Sequence, residues 1–118
     1  DAKIVNFGEE FKLRLDNRYT DTDVLSRSIR KLQEYFEDKL YVGEPIYINR
    51  LYSLLGKVDG VAEVRHLKIT SRSGASYSSN RVDLDEMRSR DGSYIKTPKN
   101  VIMELKFPDR DIKGTIIR

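Results

Sequence analysis

Apolar and basic residues alternate strictly through Phe11-Lys12-Leu13-Arg14-Leu15. That is the period of a strand with one face on a core and the other in water. Ile4-Val5-Asn6-Phe7 either extends this strand or pairs with it, with Gly8 as the break. The period then changes. Asp21-Thr22-Asp23 offers short oxygen-bearing side chains to the unpaired first N–H groups of a helix. Val24, Leu25, Ile29, Leu32, Tyr35, Phe36 and Leu40 follow at helical intervals, while Arg27, Arg30, Lys31, Glu34 and Glu37 fall mainly on the opposite side. This predicts an amphipathic helix ending near Leu40, with Gly43 at the turn beyond it.

The stretch YVGEPIYINRLYSLLGKVDGVAEV, Tyr41 to Val64, is apolar yet interrupted by Gly43, Gly56 and Gly60. Glu44-Pro45 suits a helix entrance, because proline lacks an N–H that the first turn leaves unpaired. Ile48, Leu51, Tyr52, Leu54 and Leu55 give helical spacing, with Gly56 as the expected C-terminal cap. Asp59-Gly60 is a turn dipeptide, after which Val61 to Thr70 reads as a strand.

From Ser71 to Asn80 serine, glycine and arginine dominate, and residues 71–93 are expected to be a flexible surface loop or a segment ordered only by a partner. Within it Val82, Leu84 and Met87 fit one helical turn, and Arg90 to Ser93 is turn-like. Val101, Met103, Leu105 and Phe107 alternate with polar residues in a last strand that Pro108 ends. Residues 109–118 form a tail whose Ile112, Ile116 and Ile117 are apolar enough to dock on something.

The expected architecture is α+β: a small antiparallel sheet of about three strands, two helices packed on one face, and a long Ser/Arg-rich loop before the last strand. Its outer face would project Lys12, Arg14 and Asp16.

The 118 residues suffice for a single hydrophobic core, and charged residues at 35% mark a hydrophilic globular chain. No apolar run approaches the roughly 20 residues of a membrane span. With no cysteine, disulfides and thiolate metal sites are excluded, and packing must supply stability. The chain opens on Asp-Ala-Lys without an initiator methionine or a signal-peptide core, as expected of a segment excised from something longer.

Candidate chemistry changes this picture little. His66, the only histidine, falls in a strand and reads as a surface residue rather than a general base. Asp83, Asp85 and Glu86 lack the glycine and distal glutamate of a calcium loop, and read as a solvated acidic turn. Gly56-Lys57 lacks the rest of a phosphate-binding loop. No catalytic, metal or cofactor-binding residue is assigned. A nucleic-acid-binding module is the alternative from another class: Arg65, Lys68, Arg72, Arg81, Arg88 and Arg90, with Tyr77 and Tyr94, would track a phosphate backbone and stack a base. Tyr41 and Tyr47 fall near helix ends, where an amphipathic ring serves either helix packing or a protein interface.

The order of elements also carries a resemblance. The Phe11, Leu13, Leu15 strand, the helix with Leu32 and Tyr35-Phe36, Val42 to Tyr47, Leu51-Tyr52 and Val58-Asp59-Gly60-Val61 resemble the C-terminal part of the baseplate J-like wedge proteins of contractile-tailed phages. Asp91 to Ile95, Thr97 to Val101, Glu104 to Pro108 and Asp111 to Gly114 resemble the wedge proteins of T4-like phages in particular. The insert from Arg72 to Arg81 falls outside that pattern. The resemblance implies a non-enzymatic virion component, assembled in the host cytoplasm, that builds the baseplate and helps transmit the contraction trigger. It implies no cofactor, and partners that are other copies of the chain and neighbouring wedge proteins. Tyr41, Tyr47, Ile112, Ile116 and Ile117 are then the candidate subunit contacts, and Gly43, Gly56 and Gly60 structural turns.

Overall fold

The alternation at Phe11 belongs to a longer strand in the computed structural model, which describes residues 1–117. Strand β1 (Lys3–Leu15) runs unbroken through Gly8, so Ile4 to Phe7 extends it. Gly8 is needed for closeness rather than for a break, because a Cβ there would meet the Asp111 carbonyl oxygen at 2.7 Å. After Asp16 to Thr20 come α1 (Asp21–Tyr35) and α2 (Ile48–Gly56), then β2 (Val61–Arg72), the single turn α3 (Leu84–Met87), β3 (Val101–Glu104) and β4 (Ile112–Ile117).

The domain is α+β, with one sheet of four strands. The expected antiparallel pairing holds for β1 and β2, whose ladder runs from Asn6 opposite Arg72 to Leu15 opposite Val61. On the other edge of β1 two strands lie parallel to it and end to end, β3 along Lys3 to Asn6 and β4 along Glu9 to Arg14. Alternation reports which face a residue takes and is silent on strand direction, so the mixed pairing lay outside its reach.

The core joins Phe7, Phe11 and Leu13 of β1 to Val24 and Leu32 of α1 and to Leu51 and Leu55 of α2, each at most 2% exposed. Helix α1 lies against β4 and α2 against β2. Lys12 and Arg14 are exposed on the opposite face, as expected.

Helix ends differ from the expectation for local reasons. Helix α1 stops at Tyr35 because Glu34, Glu37 and Asp38 gather at the negative end of its dipole with no basic residue in its last turn. Asp21 and Asp23 sit inside its first turn, and the N-cap is Thr20. Helix α2 starts at Ile48 rather than at Pro45, since Ile46 is held extended by paired backbone hydrogen bonds with Ile95 at 3.2 and 2.7 Å. Gly43 (φ +74°) and Gly60 (φ +97°) take the expected left-handed turns. Gly56 instead is the last residue of α2, and the C-cap is Lys57 in ordinary right-handed geometry.

The last segment brings the main correction. Residues 112 to 117 of the supposed tail are β4, docked on this domain's own β1, and Arg118 lies outside the described residues. The preceding strand ends at Glu104, short of Phe107.

Candidate functional site

The candidate subunit contacts divide into two groups. Tyr41 is 80% exposed and Val42 50%, on a turn that is nonetheless pinned. The Tyr41 N–H donates to the Glu44 carboxylate (2.7 Å), the Glu44 N–H to the Tyr41 carbonyl (3.0 Å), and the Gly43 N–H to the carbonyl of Val101, the first residue of β3 (2.7 Å). Tyr47 is half-buried, with the Arg50 guanidinium 4.2 Å from its ring centroid and the Tyr94 ring 6.1 Å away. Tyr41, Tyr47 and Arg50 share a hollow of about 220 Å³ with Tyr35 and Phe36 at the end of α1. The isoleucines form the other group: Ile112 is buried and Ile116 and Ile117 are half-buried in β4, so the sheet already uses them.

The Ser-rich segment after β2 is fixed to its own domain. Asp111, 2% exposed, accepts hydrogen bonds from the Tyr77 hydroxyl (2.8 and 2.9 Å) and from Arg72 Nε (3.3 Å). Arg110 donates to the Tyr77 hydroxyl at 3.1 Å and stacks over Phe107, 4.1 Å from its centroid. Asn6, 1% exposed, accepts from the Ser78 N–H (2.7 Å) and donates to the Glu104 carboxylate (2.8 Å). The Lys106 ammonium donates to the Ser76 carbonyl. Flexibility was expected because the segment lacks apolar residues; polar groups elsewhere in the chain supply its anchors instead.

Most residues of the nucleic-acid alternative are engaged within the domain, although Lys68 and Arg88 border one cleft. Arg72 and Tyr77 are engaged with Asp111, Arg65 pairs with Glu63 at 2.9 Å, Lys68 with Glu10 at 3.8 Å and Arg88 with Asp85 at 3.5 Å. Arg81 and Arg90 are exposed, and Tyr94 packs towards Tyr47. Asp83 caps α3, accepting from the N–H groups of Asp85 (3.0 Å) and Glu86 (3.3 Å), which accounts for the acidic triplet. Among the described residues no three His, Asp or Glu side chains gather to hold a metal ion. Asp91 fastens the turn at Gly92, and hydrogen bonds from Ser93 and Ser89 hold its carboxyl down at about 2.

Two features escaped sequence reasoning. Glu9 is wholly buried with neither carboxylate oxygen hydrogen-bonded, and burial pushes its pKa up to about 8. Its only sequence signal is its place among the inward-facing odd positions of β1. The second is an open cleft of about 800 Å³ bordered by Lys12, Lys68, Lys113, Arg88 and His66. His66 stands at a β-bulge with φ +52°, where Phe11 alone faces both His66 and Leu67. The cleft's residues come from separate elements, so no local motif announces it. A third groove of about 550 Å³ runs between the end of α1 and β3, floored by Phe7, Phe36 and Met103. Among the described residues no helix is long and apolar enough to cross a membrane. No family model, curated protein or solved structure matches this chain.

Proposed function

We propose that this domain is an assembly module of a contractile-tail baseplate wedge, joining copies of itself and neighbouring wedge proteins and helping to pass on the contraction trigger. The observation that carries this reading is the pinned presentation of Tyr41 and Val42. Backbone and side-chain hydrogen bonds hold the turn in place, yet its two large side chains point to water. A preorganised amphipathic ring beside an aliphatic side chain is how interfaces are anchored at low entropic cost. The same stretch carries part of the wedge-protein resemblance. The reading assigns no catalytic residue and no cofactor, and it places the domain in the virion after assembly in the host cytoplasm.

Removing residues 109–118 is no test, since it deletes β4 and Asp111. Sedimentation of the domain over a range of concentrations tests it instead. The unmodified protein is expected to self-associate, and Tyr41→Ser with Val42→Ser to weaken this about tenfold, a loss of about 1.4 kcal/mol. A protein that stays monomeric at high concentration and ignores wedge proteins would sink the reading.

A further inference from the structure

The outer face of the sheet carries positive charge that the fold leaves unused. Lys12 stands directly opposite Arg65 on β2, a like-charge pairing that weakens a ladder. Arg65 turns away to Glu63 at 2.9 Å, and among the described residues Lys12 has no ion pair. Lys113 on β4 lies alongside Glu10, but Glu10 is drawn to Lys68 on its other side, at 3.8 Å. Lys12, Lys68 and Lys113, with His66 and with Arg88, which Asp85 pairs at 3.5 Å, border the cleft of about 800 Å³, where Glu10 is the only lining carboxylate among the described residues. The left-handed backbone of His66, unusual for a side chain with a Cβ, belongs to the bulge that brings this residue to the cleft.

We propose that this cleft binds an acidic segment of a partner protein, whose Asp and Glu carboxylates lie across β4, β1 and β2. Charge complementarity selects the sign, because unpaired lysines on adjacent strands leave a concentrated positive potential. The chemistry of the cleft favours protein over nucleic acid. Its tyrosine, Tyr52, packs on the core and accepts the Leu67 N–H at 3.1 Å, so no free ring is present to stack a base. Glu10 in the middle would repel a continuous phosphate backbone, whereas an acidic segment accommodates it with one basic residue. The choice of a protein ligand rests on the assembly reading above; the positive cleft does not.

The test uses a fluorescent oligoglutamate peptide, with tripolyphosphate and oligothymidylate as rivals. The peptide is expected to bind saturably and to weaken as salt rises. Lys12→Glu with Lys113→Glu is expected to weaken it about tenfold, whereas Lys31→Glu on α1 leaves it unchanged. Amide shifts in the unmodified protein, which do not depend on any variant folding, should centre on Lys12, His66 and Lys113. Tighter binding of either rival overturns the proposal, as do shifts centred elsewhere. Absence of peptide binding in a protein that still self-associates overturns it while leaving the assembly reading standing.

Discussion

From Val5 to Glu9 five successive residues of β1 are buried, whereas from Phe11 to Arg14 burial alternates with exposure. One strand therefore passes from a region covered on both faces to a region with one face in water. What covers the first half on its outer side is the polar segment around Tyr77 and Ser78, held by Asn6 and Asp111. In the second half Lys12 and Arg14 are exposed among the described residues. The contrast shows that a domain of this size can close a third layer over part of its sheet with hydrogen bonds in place of apolar contacts. It does so by meeting the side chains of Asn6 and Asp111 with several hydrogen bonds each.

Asp111→Ala would break the comparison most severely. It leaves Arg72, whose side chain is only 22% exposed, beside an empty socket and releases Tyr77. Removing one partner of such a pair costs about 3 kcal/mol. The urea midpoint should fall accordingly, and trypsin should gain access to the bond after Arg72 at the start of the segment. An unchanged midpoint would mean that the cover is not coupled to the fold.

Glu9→Gln addresses the boundary between the halves. The folded pKa of Glu9, about 8, lies above the ordinary value of 4.5, so its carboxyl stays protonated in the native state where the unfolded chain has lost the proton. Stability is then fully present below pH 4.5 and declines as pH rises, until Glu9 titrates in the folded state near pH 8. The expected slope is about 1.4 kcal/mol per pH unit across that window. Glu9→Gln should flatten it and be more stable than the native chain at pH 8 by a few kcal/mol, as read from urea midpoints at several pH values. A native stability that is flat between pH 5 and 8 would show that Glu9 has found a partner or water.

The smallest effect belongs to the open half. Arg14 Nε lies 3.2 Å from a Glu63 carboxylate oxygen, with both side chains well exposed. Arg14→Ala should therefore change stability by no more than about 0.5 kcal/mol. A larger loss in thermal melts would mean that this face is less solvated than its exposure indicates.

Much of this was legible in the chain. The stripe that opens at Val24 marks α1, although the helix ends at Tyr35, short of Leu40; Gly60 turns the chain into β2, and Met87 closes the single turn of α3 and is buried. These are short-range patterns, in which neighbouring residues alone determine the face and the punctuation. The illegible parts depend on distance along the chain. Ser78 meets Asn6 across 72 positions, and Tyr77 meets Asp111 across 34, so nothing local marks the Ser-rich segment as anchored. Likewise β4 hides behind Pro108, because its parallel partner is the first strand. The exposure of Tyr41 follows from its place just beyond a helix, whereas Lys12 and Lys113 join one cleft only after β1 and β4 are laid side by side.

That arrangement of β1 has a further consequence during synthesis. Asn6 reaches its neighbour Glu104 98 positions later, and translation at about 5–20 residues per second imposes a wait of roughly 5 to 20 seconds. Until then one edge of the central strand is bare from Lys3 to Asn6 and from Glu9 to Arg14. The nascent chain cannot present a finished sheet early, because β1 completes its pairing only once β3 and β4 have left the ribosome. Late closure of the sheet thus sets the earliest moment at which the fold of the domain can be complete.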